Sequence, residues 1–130
     1  MTRALVIGGG IAGTVAAIAL QKAGLEPTIY EAFDHTADGI GNFVNIAPNG
    51  VAALDSIGLG DLVRRRGFDT PAIAFYSHTG KPLTGDVPSD RRFTDGIIIQ
   101  TIQRSDLYGA LRDEADRRGI PIEYSKRLVD

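Results

Sequence analysis

The sequence predicts an α/β fold in which a parallel sheet is combined with an antiparallel insertion. Three observations predict it. A short apolar run opens the chain and is followed directly by a cluster of glycines. An alanine-rich stretch with helical spacing and a second apolar run then complete a strand–helix–strand unit. Short extended segments separated by turn residues follow, before a further helix and strand near the C-terminal end.

The first unit occupies residues 4–31. Ala4–Ile7 is wholly apolar and contains β-branched residues, which is typical of a strand buried on both faces of a parallel sheet. We expect a helix over Ile11–Ala23, because its apolar and small residues recur at helical spacing and Gly24 supplies a stop signal. Pro27–Glu31 is the second predicted strand.

The turn between this strand and helix has the pattern GxGxxG. Gly8 permits a tight turn, Gly10 lets a pyrophosphate approach the backbone, and Gly13 lets the helix pack closely on the strand. Free N–H groups and the aligned peptide dipoles at the start of the helix favour an anion. Glu31 ends the second strand, where a carboxylate can accept hydrogen bonds from a ribose diol and would repel a 2′-phosphate. Together these features predict a Rossmann-like site for an ADP-ribosyl group, with NAD and FAD both still open.

The segment after this unit departs from a regular alternation of helices and strands. Its composition predicts an antiparallel insertion, because short extended segments flank the turn residues Thr79 and Gly80. The predicted elements are, in chain order, a glycine-containing loop at 32–45, a short helix from Pro48 to Gly58, hairpin segments at 72–77 and 81–84, and an extended run at 97–101.

A final helix and strand return to the parallel sheet. Ser105 is the predicted N-cap of a helix from Asp106 to about Arg118, which Gly119 ends. Ile120–Tyr124 is the predicted third parallel strand. Three parallel strands that lack the helices of one face would leave apolar surface and edge groups exposed. We therefore expect this chain to be a fragment, or one piece of a split protein, whose core other polypeptide completes.

Composition is that of an ordinary globular domain. The chain has 130 residues, of which 43% are hydrophobic and 23% charged, with a net charge of -2. Charges of both signs are mixed along the sequence, so nothing favours nucleic-acid binding. Cysteine is absent, which is typical of a cytoplasmic protein and excludes thiolate metal sites. The two histidines are far apart in sequence, which also argues against a metal site. No apolar run is long enough to predict a membrane span.

Three stretches carry a resemblance to a known family. They are GGGIAG at 8–13 with Glu31, GNFVNIAPNGVAALDSIGL at 41–59, and QRSDLYGALRDEA at 103–115. In this order they resemble the N-terminal part of the FAD-dependent aromatic hydroxylases, the flavoprotein monooxygenases typified by para-hydroxybenzoate hydroxylase. The resemblance implies a Rossmann-like FAD-binding domain of the glutathione-reductase type. Residues 1–130 would be its N-terminal part, with the rest of that domain and the substrate domain outside this chain.

The resemblance also implies cofactor contacts. The FAD pyrophosphate would lie on the glycine-rich turn and the adenosine ribose on Glu31, while Arg104 would reach the phosphate and ribityl region. An ion pair between Arg104 and a neighbour such as Asp106 is the alternative for that arginine. The predicted cofactor-binding residues are Gly8, Gly10, Ile11, Ala12, Gly13, Glu31, Asn42 and Arg104. No catalytic or metal-binding residue is predicted in this chain.

Other polar residues near the predicted flavin are less specific. For Asn42 and Asn45, a local role in a turn is as well supported as a flavin contact, and Gln100 is a further candidate for facing the flavin. The chain also departs from the family, since residues 32–41 contain no arginine and later Asp-Gly and Gly-Asp motifs of the family have no counterpart.

The reaction implied by the resemblance is an aromatic hydroxylation. NADPH or NADH, as a transient reductant, would reduce the flavin, which would react with O₂ to form a C4a-hydroperoxide and transfer one oxygen atom to an electron-rich, usually aromatic, small molecule. The implied partners are that substrate and the rest of the same enzyme. Two alternatives stay open: an NAD-binding dehydrogenase domain, which does not explain residues 41–59, and a non-catalytic flavin-binding module.

Overall fold

The computed structural model describes residues 2–36, 39, 41–88 and 96–129. In chain order its elements are β1 (Arg3–Ile7), α1 (Ile11–Lys22), β2 (Glu26–Tyr30), β3 (Phe43–Ile46), α2 (Pro48–Ser56), α3 (Gly60–Arg66), β4 (Phe68–Thr70), β5 (Ala72–Ile73), β6 (Val87–Pro88), β7 (Ile99–Gln103), α4 (Arg104–Arg117) and β8 (Ile122–Glu123). They form two compact units, one of residues 1–42 and 104–130 and the other of residues 43–103.

The first unit contains the predicted parallel sheet, with strand order β1-β2-β8. Val6 lies opposite Ile29, which in turn lies opposite Ile122. The connections from β1 to β2 and from β2 to β8 run in the same direction across the sheet. Because such connections between parallel strands are right-handed, both helices are expected on one face of the sheet. Helices α1 and α4 do pack against each other. The core between helices and sheet is fully apolar at its centre, where Ile18, Ile29 and Leu111 are almost completely buried.

The opposite face of this sheet is open. Side chains alternate along a strand, so Leu5 and Ile7 point away from the helices, and they are 69% and 54% exposed. Their register partners on β2 are Thr28 and Tyr30. Two apolar side chains of β1 thus face outward, as expected for three parallel strands with helices on one face only.

The second unit is built on an antiparallel sheet of order β3-β7-β4. Helices α2 and α3 pack against each other and against β7. One buried side chain from each helix, one from the turn between the helices and one from β7 form the core of this unit: Val51, Val63, Leu59 and Ile102. A two-stranded ribbon of β5 and β6 belongs to the same unit.

Several sequence predictions are confirmed within a residue or two, including β1, α1, β2, α2 and the parallel pairing of the last strand. The hairpin is confirmed in outline: Tyr76 and Pro82 form a bridge across the turn at Gly80. Its strands differ from the prediction, because β5 pairs with residues 87–88 and not with residues 81–84. The third extended run lies two residues later than predicted, at Ile99–Gln103.

Other predictions are wrong, and long-range pairing explains most of the differences. Phe43–Ile46, partly assigned to a loop, is a strand because it pairs with β7. Neither α3 nor β4 was predicted, and β4 also exists through its pairing with β7. Ser105 is not an N-cap, because α4 begins one residue earlier at Arg104. Residues 37, 38 and 40 of the predicted loop lie outside the described residues.

Close contact between α1 and the end of β1 depends on Gly13. A Cβ atom at this position would overlap the carbonyl oxygen of Gly8 and would lie 3.4 Å from Cγ1 of Val6. The overlapped atom is backbone, which cannot rotate away as a side chain can. The helix can therefore begin directly after the strand only because position 13 has no side chain.

Gly13→Ala is expected to lower the free energy of unfolding by about 2–3 kcal/mol, because the methyl group forces the helix away from the strand. Gly109→Ala is the matched control: a Cβ there meets no atom within 4 Å, and the alanine should stabilise α4 by about 0.5–1 kcal/mol. Thermal or urea unfolding of both variants measures the difference. Equal stability of the two variants would contradict this account of the packing.

Candidate functional site

The glycine-rich turn at residues 8–10 lies at the carboxyl end of β1. Gly8 has a φ of 102°, a left-handed conformation that side chains rarely adopt. Its N–H donates a 2.8 Å hydrogen bond to the carbonyl oxygen of Tyr30. The turn is therefore attached to the end of β2, which is also where Glu31 begins the following loop.

The N-terminus of α1 has the properties of an anion site. Gly10 is its N-cap, with extended backbone, and no side chain forms a capping hydrogen bond there. The first turn contains no acidic residue, and the N–H groups of Ile11, Ala12 and Gly13 have no acceptor within the helix. A Cβ at Gly10 would meet no atom within 4 Å, so the space in front of this backbone is open. These features fit a diphosphate.

Glu31 lies beside this turn and is half-buried. Its Oε2 accepts a 2.6 Å hydrogen bond from the Gly9 N–H, and its Oε1 accepts one of 3.0 Å from the Phe33 N–H. Burial alone would raise the pKa of Glu31, but three backbone N–H groups and a nearby arginine outweigh it and hold that pKa below its ordinary value. These groups belong to Phe33, Gly9, Ala32 and Arg127. The carboxylate is therefore ionised at neutral pH.

Two residues of this site were missed by the sequence analysis. A Cβ at Gly9 would lie 3.2 Å from Oε2 of Glu31, so this middle glycine is in contact with the acid. Thr14 is buried, and its hydroxyl donates to the carbonyl oxygen of Gly10 at 3.0 Å and lies 3.3 Å from that of Gly9. The third consecutive glycine was the available signal for Gly9, whereas nothing in the local pattern distinguishes Thr14.

A second group of predicted residues meets at the start of α4. The Arg104 N–H donates a 2.9 Å hydrogen bond to the carbonyl oxygen of Asn42. Gly41, with a φ of 110°, packs on the same side chain, since a Cβ there would lie 3.1 Å from Cδ of Arg104. Both Asn42 and Arg104 are exposed. Among the described residues Arg104 forms no ion pair with Asp106.

Two further candidates belong to the second unit and have protein partners. Asn45 accepts a 2.7 Å hydrogen bond from the Thr101 hydroxyl. The amide of Gln100, which is 4% exposed, donates to Asp69 at 2.5 Å. Both bonds join neighbouring strands of the β3-β7-β4 sheet. They support a local structural role for these two side chains.

In the part of the chain that the structure describes, no group of three or more histidine, cysteine, aspartate or glutamate side chains is placed to hold a metal ion. No helix in that part combines the length and the apolar character needed to cross a bilayer.

The parallel strand–helix–strand unit, its glycine-rich turn and the acid after β2 define a Rossmann-like nucleotide-binding domain. The family described as an NAD(P)-binding Rossmann-like domain matches residues 6–53. This match ends within α2, so it covers the candidate site at the glycine-rich turn but little of the second unit.

Individual relatives extend the similarity over almost the whole chain. The chain is 29% identical to 3-hydroxybenzoate 6-hydroxylase of Klebsiella oxytoca, over 98% of this chain and 33% of that protein. It is 39% identical to a 3-amino-4-hydroxybenzoate 2-monooxygenase of Streptomyces platensis, over 84% of this chain and 28% of the relative. The resemblance to FAD-dependent hydroxylases is thereby confirmed. The chain spans about a third of the length of these relatives.

Solved structures of flavin-dependent oxygenases have the same fold as this chain over almost its whole length. A 2-methyl-3-hydroxypyridine-5-carboxylic acid oxygenase superposes with a TM-score of 0.79 at 27% identity, over 96% of this chain and 32% of the oxygenase. A variant of Klebsiella pneumoniae HpxO, complexed with FAD, superposes with a TM-score of 0.82 at 25% identity, over 100% of this chain and 32% of that protein. The predicted Rossmann-like fold class is therefore confirmed.

Proposed function

We propose that this chain is the N-terminal part of the FAD-binding domain of a flavin-dependent monooxygenase. The enzyme would use NADH or NADPH and O₂ to hydroxylate an aromatic or other electron-rich small molecule, and would work in the cytoplasm. One observation carries the proposal: an uncapped helix N-terminus opens onto free space beside an ionised glutamate, in a chain similar over nearly its whole length to FAD-dependent hydroxylases.

The diphosphate of FAD would bind at the start of α1. The free N–H groups of Ile11, Ala12 and Gly13 would donate to its oxygens, and the helix dipole would favour its charge. Gly10 contributes space, because its missing side chain lets the ligand approach the backbone. The first turn of α1 contains no acid to compete for these donors.

The adenosine ribose would bind at Glu31. Each carboxylate oxygen has two lone pairs, and each accepts one backbone hydrogen bond that the structure shows. Acceptor capacity therefore remains for a ribose hydroxyl. Because the group is ionised, these bonds would be charge-assisted, and a 2′-phosphate in the same place would be repelled.

Arg104 and Asn42 would hold the flavin side of the cofactor. Both are exposed, and the backbone hydrogen bond between them fixes their spacing. A guanidinium group can donate two parallel hydrogen bonds to a phosphate. When bound, FAD would supply the activation of O₂ and the transfer of oxygen to the substrate, while the residues of this chain hold and orient it.

Other polypeptide would have to complete the enzyme. The open face of the parallel sheet, with Leu5 and Ile7 exposed, supports this part of the proposal. So does the length of the relatives, since about two thirds of each of them has no counterpart in this chain. The completing polypeptide would cover that face and contribute the substrate site.

An NAD-binding dehydrogenase domain is the second candidate function. It is favoured by the match of residues 6–53 to a family described by NAD(P) binding. Against it, the similarity to the hydroxybenzoate hydroxylase extends over 98% of this chain, well beyond that unit.

The proposed activity is tested by adding FAD, NADH or NADPH and a panel of aromatic acids to the full protein. We expect a yellow complex, oxidation of the reduced nicotinamide that an aromatic compound stimulates, and one labelled oxygen atom from O₂ in the product. A yellow protein without turnover would indicate a non-catalytic flavin-binding module. A protein that binds NAD and stays colourless would indicate the dehydrogenase domain.

The variant Gly10→Ala distinguishes an effect on FAD binding from an effect on the stability of the fold. Its methyl group enters open space, so stability without a cofactor should change by less than about 1 kcal/mol. The same methyl would occupy the space of the diphosphate and should weaken FAD binding by roughly tenfold or more, ~1.4 kcal/mol. Flavin fluorescence titration measures the affinity, with Gly109→Ala as the control. Unchanged FAD affinity in Gly10→Ala would contradict the assigned diphosphate position.

Leu5→Thr and Ile7→Thr test the completion of the sheet. In the isolated chain these exposed positions should change stability by less than about 0.5 kcal/mol. In the completed protein each should cost about 1–2 kcal/mol, because a buried apolar contact is lost. Val6→Thr, on the covered face, is the control and should destabilise both forms. An isolated chain that is stable, monomeric and binds flavin would argue against the need for completion.

A further inference from the structure

We propose that Glu31 is a positioning residue for the phosphate-binding turn, in addition to its role at the ribose. Its carboxylate holds the Gly9 peptide through the N–H group, so one side chain shapes both the sugar and the phosphate subsites. This inference rests on the proposed function, because it concerns how that binding site is held before a ligand arrives.

The contact that carries the inference joins two loops. Gly9 belongs to the turn after β1 and Phe33 to the turn after β2, and each donates its N–H to one oxygen of Glu31. The bond from Gly9 is 2.6 Å long and spans 22 positions of sequence. A hydrogen bond to an ionised carboxylate is about twice as strong as one between neutral groups. The carboxylate is thus a bridge between the two turns at the carboxyl edge of the sheet.

The identity of residue 9 supports this arrangement. Gly9 is buried, and its φ is not in the left-handed region, so backbone conformation does not require a glycine. A Cβ there would lie 3.2 Å from Oε2 and 3.3 Å from Cβ of Glu31. A side chain at this position would press against Glu31, which would have to move by a few tenths of an ångström.

The base of the Glu31 side chain is itself anchored. Its N–H donates to the carbonyl oxygen of Glu123 at 2.8 Å, and its own carbonyl oxygen accepts from the Lys126 N–H at 2.8 Å. Both partners lie at or just after β8. The acid is therefore attached to the sheet on one side and to the glycine-rich turn on the other.

Thr14 acts on the opposite side of the same turn. Its buried hydroxyl lies 3.3 Å from the Gly9 carbonyl oxygen and donates to that of Gly10 at 3.0 Å. In a trans peptide the C=O and the next N–H point in opposite directions. The Gly10 N–H therefore points away from Thr14. The Gly9 N–H bonds to Glu31 and the Gly9 carbonyl oxygen faces Thr14, so both peptide groups of Gly9 have a defined orientation.

The negative charge of Glu31 allows an experiment to distinguish a positioning role from a role at the ribose alone. A carboxylate next to a bound diphosphate repels it, so removing the charge should strengthen the binding of inorganic pyrophosphate, which has no ribose. If Glu31 positions the turn, removing its acceptor oxygens should weaken that binding. The two accounts predict effects of opposite sign.

The test compares pyrophosphate binding to the flavin-free full protein and to three variants. Glu31→Met has no acceptor oxygen and should bind pyrophosphate at least about fivefold more weakly than the unmodified protein. Glu31→Gln keeps one acceptor oxygen and should lose less. Glu26→Gln removes an exposed carboxylate at the other end of β2 and should leave the affinity unchanged. Affinity in Glu31→Met equal to or above that of the unmodified protein would overturn the inference.

A second measurement does not depend on a folded Glu31→Met variant. The Gly9 amide proton, followed by NMR, should shift as the pH falls through the pKa of Glu31, which lies below its ordinary value. The shift should be absent in Glu31→Gln and retained in Glu26→Gln. A Gly9 resonance that ignores the ionisation of Glu31 would overturn the inference while leaving FAD binding intact. Failure of the unmodified protein to bind either FAD or pyrophosphate would instead overturn the proposed function, and this inference with it.

Discussion

The close approach of α1 to the end of β1 is the constraint on which the first unit depends. It exists because Gly13 has no side chain where the Gly8 carbonyl oxygen lies. With that contact the helix begins immediately after the strand, so its free N–H groups lie at the carboxyl edge of the sheet. A larger residue would move the helix, and with it the position of every donor in its first turn.

Parallel pairing then brings the acid to the same edge. Because β1 and β2 run in the same direction, their carboxyl ends are neighbours, and the Gly8 N–H bonds to the Tyr30 carbonyl oxygen. Glu31 follows directly and meets the glycine-rich turn. An anion site and a carboxylate would normally oppose each other, but the backbone N–H groups that bind Glu31 stabilise its charge in place. The carboxyl edge of the sheet thus has free helix N–H donors and carboxylate acceptors side by side, as the proposed phosphate and ribose positions require.

The first unit has helices on only one face of its sheet. Both of its helices lie on one face, and Leu5 and Ile7 are exposed on the other. Relatives of about three times this length are similar to almost the whole chain. The second unit has its own core, in which two helices pack against an antiparallel sheet. Its β7 ends at the residue before Arg104, so the chain enters the first unit again at a predicted cofactor-binding residue.

Local pattern was enough to predict β1, α1 and β2, because strand and helix periods and turn chemistry are properties of neighbouring residues. The binding roles of Gly8, Gly10, Gly13 and Glu31 come from the same local pattern and stay predictions. Strands β3 and β4 needed the tertiary structure, since each is stabilised by pairing with β7, which is distant in sequence. At the start of α4, the Arg104 N–H likewise bonds to the carbonyl oxygen of Asn42, a residue distant in sequence. The roles of Gly9 and Thr14 also became visible only in the fold. A hydrogen bond between groups 22 positions apart has no signature in a sequence, because folding alone brings its two atoms together.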